Sequence, residues 1–460
     1  MKYTVNKLLC CFLIPVLVVI QGCEEFVEVS PPRTDLVRKT VFTNDKTATA
    51  AMANVYADMA FSGFVSGSSS SYSLLGAFSA DDWTAAGNPA QEIEQFSNND
   101  LNPRNSRVTG LWTDLYRYVY KANAVLEGLQ SGFGLSAGVK AQLEGEALFV
   151  RGFSYFYLTN LWGDVPIVIS TDYRINSQLQ RSPQHEVYAF IISDLMKATE
   201  LLEPEYSYSG GEKIRPNKWV AEALIARVHL FHGNWSKAEE AASQVISQTE
   251  LYGLSSDLND VFTKNSSESL WQLHSREIPL DLGTFTIFSG PSHGMMRNEL
   301  VTAFHPDDRR LQEWIGVVDG PTQYYYSKKY QNFLDVTEYS TVMRLSELYL
   351  IRAESRSMQE RLNGENSAIE DVNVIRARAG LAPFESLSKE DLLDEIFLQR
   401  RLEFFCEWGH RWLDLKRSGR IDGVMTDLKP GTWQTTDALF PIPEEQILRS
   451  TIVINQNPGY

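Results

Sequence analysis

Apolar positions along this 460-residue chain recur mainly at three- and four-residue steps, the period that gives a helix one buried face. Between Leu111 and Leu129 the stripe is Trp112, Leu115, Val119 and Leu126. In the next segment it is Phe149, Phe153, Phe156, Tyr157 and Leu161. Thr47 to Met59 is alanine-rich and also reads as helix. These runs predict a mainly α chain. Two stretches break the pattern. Residues 61–110 are rich in Ser, Gly, Asn and Asp, and residues 253–340 mix short β-branched runs with turns. Both are too long for plain connectors, and long irregular segments on a rigid scaffold are where binding residues concentrate.

The clearest local unit runs from Lys218 to Ile246. Ala223, Ala226 and Leu230 mark its first half, Gly233-Asn234-Trp235 a turn, and Ala238 and Ala242 its second half. Small residues at these spacings let two antiparallel helices pack closely, and the unit resembles a tetratricopeptide pair. A second pair is predicted from Met343 to Arg378, with Leu345, Leu348, Ala353, Ile369 and Val372 inward. Such pairs cannot bury their faces alone, so several are expected to stack into a helical scaffold.

The N-terminus has a separate character. Lys2 and Lys7 precede an apolar run from Leu8 to Ile20, too short to span a bilayer, and Gln21-Gly22-Cys23 follows. This resembles a bacterial lipoprotein signal (residues 1–22) cleaved before Cys23, which then carries the lipid. The plainer alternative is an ordinary secretory signal with an incidental cysteine. Residues 23–35 read as a lipidated tether, acidic, proline-bearing and without periodicity, and residues 36–460 as a single body.

Charge and cysteine content narrow the function. Loss of residues 1–22 removes Lys2 and Lys7 from 42 basic side chains and none of the 58 acidic ones, leaving 40 against 58 and a formal charge of −18. A chain this acidic is a poor partner for nucleic acid, and it would be held at a membrane by its lipid rather than by surface charge. Cys10 and Cys11 leave with the signal and Cys23 takes the lipid, so Cys406 stays unpaired and no disulfide is expected.

Catalytic chemistry is sparse. There is no Walker glycine loop and no Cys-x-x-Cys, and Gly132-Phe133-Gly134 has no preceding strand. His229 and His232 share a helical face without a third ligand at zinc spacing. Glu407-x-x-His410 has the spacing of a di-iron ligand pair but no second copy. No cofactor, metal site or enzymatic activity is expected.

Several blocks point together to one family. Glu146-Ala-Leu-Phe-Val-Arg151-Gly-Phe-Ser-Tyr-Phe-Tyr157 runs into Trp162-Gly163-Asp164-Val165-Pro166. Arg400-Arg401-Leu-Glu403-Phe-Phe-Cys-Glu407-Trp-Gly409-His410-Arg411-Trp412-Leu-Asp414-Leu-Lys-Arg417 follows much later. The chain closes with Leu439-Phe-Pro-Ile-Pro443 and Gln456-Asn457-Pro458-Gly459-Tyr460. In this order, behind a lipoprotein signal, they resemble the SusD/RagB family. The resemblance implies a SusD-like fold, with tetratricopeptide-like helix pairs and an irregular half carrying short strands and the ligand site. It implies a non-enzymatic lipoprotein facing outward on the outer membrane. Such a protein captures a nutrient, usually an oligosaccharide, and passes it to a SusC-like TonB-dependent transporter. Some relatives are associated with peptides instead, and a scaffold binding only protein is a further alternative.

Arg400, Arg401, Glu403 and Arg411 are threaded among Phe404, Trp408 and Trp412, which predicts ion pairs beneath the surface. Gly163-Asp164-Val165-Pro166 is expected to end a helix and turn the chain. For a sugar site, aromatic faces supply apolar area and polar side chains meet hydroxyls. Trp112, Trp162, Trp219, Trp235, Trp408 and Trp412 fall in helix blocks or their turns and read as core. Trp83, Trp271, Trp314 and Trp433 fall in irregular segments. Trp83 leads, beside Asp81, Asp82 and Asn88, although a tryptophan plugging the scaffold under a loop fits the same residues. Arg297, Trp271, Trp314 and Tyr324 complete the ligand-binding candidates. Within Tyr324-Tyr325-Tyr326 a strand would alternate faces, so at most two rings could address one ligand.

Overall fold

The computed structural model describes residues 40–61, 63–65, 70–274, 294–320, 323–332 and 336–460. The expected signal, Cys23 and the tether lie outside the described residues. Seventeen α-helices and six short strands are described. The first five helices are α1 (Asp45–Phe61), α2 (Tyr72–Ser79), α3 (Gln91–Asn98), α4 (Ser106–Ser131) and α5 (Ala137–Trp162). A short α6 (Tyr173–Asn176) leads to α7 (Gln184–Leu201), α8 (Lys218–Phe231) and α9 (Trp235–Ile246). After α10 (Asn298–Val301) and α11 (Arg309–Trp314) come α12 (Leu345–Met358), α13 (Ala368–Arg378), α14 (Lys389–Phe404) and α15 (His410–Arg417). The chain ends with α16 (Ile421–Leu428) and α17 (Glu444–Arg449).

The helix pairs form where periodicity placed them. Ala223, Ala226, Ala238 and Ala242 are fully buried between α8 and α9, and α9 packs in turn on α12, so the pairs stack. Helix α5 is the centre. Every residue from Gly145 to Trp162 is buried, because α4, α7 and α8 enclose it. It stops at Gly163, whose φ of +74° suits glycine, and the Gly163 N–H closes on the Thr159 carbonyl at 2.9 Å. The terminal blocks dock there. The Trp162 indole donates to the Pro441 carbonyl at 2.9 Å, and Asn457 donates to the carbonyls of Trp162 and Phe440 at 3.0 and 2.8 Å.

Between the stacked helices and the strands lies a buried ionic cluster. Arg310, Arg344, Arg378 and Lys329 meet Glu268, Asp308, Glu403 and Glu407, four cations against four carboxylates. Arg344 bridges Glu268 at 2.8 Å and Glu407 at 2.9 Å, and Arg310 reaches Glu403 at 2.9 Å. Burying charge is costly unless it is paired and hydrogen-bonded, and the balanced count satisfies that condition. The expected pairing of the late block holds as well: Arg400 binds Asp414 at 2.7 Å.

The strands make two antiparallel sheets. Strands β2 (Ser269–Leu273) and β6 (Ser340–Arg344) pair alone. A four-stranded sheet has the order β1 (Trp83–Ala85), β3 (Gly294–Met296), β5 (Tyr324–Ser327), β4 (Ile315–Val318). The described residues of the 61–110 stretch hold more regular structure than their composition predicts. Helix α2 within them is buried along its whole length, because Leu74, Leu75 and Phe78 enter the main core.

Candidate functional site

The four-stranded sheet gathers most of the candidate residues, and its register decides which of them face outward. Trp83 lies opposite Met296, Met296 opposite Tyr325, and Tyr325 opposite Val317. Directly opposed residues share a face, and this one is turned to the core over β1, β3 and β5, where Trp83 and Met296 are buried and Tyr325 packs against the core, but opens to solvent on β4, where Val317 is 47 % exposed. The other face then carries Thr84, Met295, Tyr324 and Tyr326. Tyr326 sits opposite Gly316 and lies against it, for a Cβ there would come within 2.2 Å of the ring. Tyr324, opposite Val318, is half-buried.

Several expectations about exposure are corrected. Trp83 is 1 % exposed, edge-on to Phe78 at 6.4 Å, and its indole N–H points at Cys406 Sγ at 3.0 Å. Burial pushes the Cys406 thiol up, so it stays protonated at the N–H edge of the ring. Trp271 belongs to β2 and is enclosed by Phe149, Phe153 and Tyr56 at 5.1, 5.4 and 6.3 Å. Trp314 is fully buried, donates to the Leu258 carbonyl at 3.0 Å and covers Lys329, whose ammonium is 4.8 Å from its ring centre. These three indoles present no face to solvent. Each lies in a segment that looks irregular in sequence but is drawn inward by a partner distant along the chain. Trp433 is half-buried.

Asp81 and Asp82 are likewise inside. Arg411 clamps Asp81 through two hydrogen bonds of 2.7 and 2.8 Å, and Arg401 reaches Asp82 at 2.8 Å. Burial is the largest influence on both. At Asp81 the Arg411 hydrogen bonds and the charges of Arg401 and Arg411 outweigh it and hold the carboxyl below its usual range. At Asp82 burial prevails, reinforced by the Asp81 charge, and its carboxyl is pushed up. The aspartates fasten the α2–β1 corner to α14 and α15. Lys429 completes that corner from behind, donating to the Phe78 and Ser79 carbonyls at 3.2 and 3.1 Å.

Arg297, Tyr324 and Asn88 retain surface. Arg297 is half-buried at the end of β3, with its backbone N–H on the Asp82 carbonyl at 2.9 Å and Nε on the Trp83 carbonyl at 3.2 Å. Asn88 is exposed, three residues beyond β1. Tyr326 joins Tyr324 on the outward face through two-residue alternation, a signal already present in the tyrosine run. The structure thus brings Asp81, Asp82, Trp83, Arg297 and Tyr324 to one sheet, with Trp271 in the other sheet and Trp314 beneath β4.

Among the described residues no cluster of three metal-ligating side chains occurs. Gly290-Pro291-Ser292-His293-Gly294 has nucleophile-elbow spacing. An elbow turns from strand into helix, whereas Gly294 opens strand β3, and residues 290–293 lie outside the described residues. Arg297, next to β3, is tied to backbone carbonyls.

Comparison with known proteins agrees with this architecture. Residues 25–230 match a family model described as starch-binding associating with outer membrane, and residues 204–460 match that of the SusD family. SusD-like protein P25 of Formosa agariphila is 24% identical, with 95% of this chain and 97% of that protein covered. A SusD superfamily protein from Bacteroides vulgatus superposes with a TM-score of 0.79 at 20% identity, over 90% of this chain and 99% of that one. A laminarin binding SusD-like protein superposes with a TM-score of 0.75 at 23% identity, covering 91% and 100%. Surface glycan-binding protein A from Bacteroides fluxus does so at 0.76 and 20% identity, again covering 91% and 100%. With one family model spanning its C-terminal 257 residues and the fold shared across nearly its whole length, the chain belongs to the SusD family.

Proposed function

We propose that this protein is a non-catalytic surface lipoprotein that captures an oligosaccharide on the outer face of its four-stranded sheet. In this reading it delivers the sugar to a SusC-like TonB-dependent transporter. The carrying observation is the pair Tyr324 and Tyr326, alternate residues of β5 that share the outward face, with Tyr326 laid against Gly316. Two rings on one face suit the C–H surface of a sugar, and fixed aromatics lose little rotamer freedom on binding. Asn88 and the Arg297 guanidinium supply hydrogen bonds to hydroxyls. The laminarin binding and surface glycan-binding proteins named above support a carbohydrate ligand. The lipid on Cys23 and the 24–35 tether would hold the body at the outer membrane while letting it swing over a transporter.

The test is a glycan array probed with the soluble body beginning at Glu24, with short peptides alongside and a Tyr324→Ala/Tyr326→Ala variant in parallel. Saturable sugar binding that the variant loses supports the reading. Sugar binding that the variant keeps moves the site off the sheet. A peptide hit with silence toward sugars makes the chain a peptide-capturing member of its family.

A further inference from the structure

A groove of about 360 Å³ lies between α4, the 166–179 segment and the C-terminal residues 446–454, on elements separate from the four-stranded sheet. Its wall is a ladder. Trp112, Tyr116 and Tyr120 stand at four-residue steps on one face of α4, which places them about 6 Å apart along the axis. They grade from buried Trp112 at the floor through half-buried Tyr116 to Tyr120, which is 48 % exposed at the mouth. Trp112 and Tyr116 are in ring contact at 4.9 Å, and the Tyr116 hydroxyl is held by the Pro166 carbonyl at 2.9 Å. The two inner rungs, Trp112 and Tyr116, are therefore fixed before any ligand arrives.

Opposite the ladder is an unmet acceptor. Asn176 donates from Nδ2 to the Ser170 carbonyl at 2.8 Å, which sets the orientation of its amide, since the flipped form would oppose two oxygens. Its Oδ1 is buried at the groove and receives no hydrogen bond from the described residues. A buried acceptor left without a donor is unfavourable, so the groove favours a ligand that brings one. The charge inventory defines that ligand further. Among the described residues no carboxylate lines the groove, and Arg449 at its rim is paired with Glu445 at 3.1 Å.

We propose that this groove is a second carbohydrate site, which takes a neutral sugar ring. The C–H face of the ring lies over Tyr116 and Tyr120, and a ring hydroxyl donates to Asn176 Oδ1. The inference rests on the glycan-capture reading and extends it: a long neutral glycan engages the sheet and the groove together, and the second contact adds avidity without tightening the first.

The experiment is isothermal titration of the soluble body from Glu24 with a panel of neutral hexasaccharides, laminarihexaose included. Wild type, Tyr120→Ala, Asn176→Leu and Tyr324→Ala/Tyr326→Ala are compared, each with its melting temperature. The expected result is two sites per chain, one of which weakens tenfold or more in Tyr120→Ala and in Asn176→Leu. Tyr120 is half exposed, so its variant keeps the wild-type melting temperature. A single site lost only in the tyrosine pair overturns the groove and leaves the capture reading standing. A single site lost only in Tyr120→Ala supports the groove and removes the sheet. Absence of sugar binding overturns both, and weakened transporter association in Tyr120→Ala would then assign the groove to a protein interface.

Discussion

Arg411 grips Asp81 bidentately along one guanidinium edge, Nε at 2.7 Å and Nη2 at 2.8 Å, although 330 residues separate them. The pair turns what reads in sequence as two loop carboxylates into an anchor between the β1 corner and α15. Arg411→Ala leaves Asp81 buried without its main partner, and the expected cost is about 3–5 kcal/mol of stability. Arg411→Lys recovers little of it, because an ammonium cannot form the bidentate contact. Urea denaturation of both variants checks this. A loss below about 1 kcal/mol in Arg411→Ala would place the anchor elsewhere.

Trp83 and the tyrosines of β5 should separate cleanly by phenotype. Trp83→Ala opens a cavity beside Phe78 and Cys406, and a loss of about 3–5 kcal/mol of stability is expected. Tyr324→Ala/Tyr326→Ala removes half-buried rings on the outward face and is expected to weaken sugar binding at least tenfold with little change in melting temperature. Paired melting and titration curves read both outcomes.

Asp414 gives the molecule an acid limit. Burial pushes its carboxyl up, but the charges of Arg400 and Arg417 prevail and bring it down to about 2. The folded value lies below the unfolded one of about 3.9, so the folded state binds fewer protons through that interval. Its contribution is fully present above about pH 4 and is lost as pH falls toward 2, on the order of 2 kcal/mol. Asp414→Asn should flatten that part of the stability profile in acid denaturation. An unchanged acid limb in the variant would exclude Asp414 as its source.

The approach of α2 to the bend before α15 tolerates no side chain. Gly409 has a φ of +65°, and a Cβ there would lie 2.3 Å from the Tyr72 ring; one on Gly76 would lie 2.9 Å from the Gly409 Cα. Gly409→Ala adds left-handed strain to overpacking, so it should destabilise more than Gly76→Ala, each by about 1–3 kcal/mol or more. Thermal melts of the two variants give the order.

Legibility in the sequence followed the range of the physics. The α8–α9 pair was readable because its alanines lie within one turn of their neighbours and the helical period is local. The ion pairs of Arg400, Arg401 and Arg411 were readable as pairs, because charges set among Trp408 and Trp412 must find partners when buried. The partners of Arg401 and Arg411 were not, since Asp81 and Asp82 are more than three hundred residues away, whereas Arg400 finds Asp414 only fourteen residues on.

The sequence by itself determined the helical scaffold, its stacked pairs, the stop at Gly163 and the alternation of the three tyrosines, for each depends on spacing along the backbone. Only the tertiary structure decided that Trp83, Trp271 and Trp314 are core and that Tyr324 and Tyr326 look outward. It alone placed Asn176 opposite a ladder of rings on α4. Burial depends on what else arrives at a point in space: Cys406 at the N–H edge of Trp83, Leu258 beside Trp314, Gly316 under Tyr326. Those neighbours are brought by packing and strand register, which no local pattern encodes.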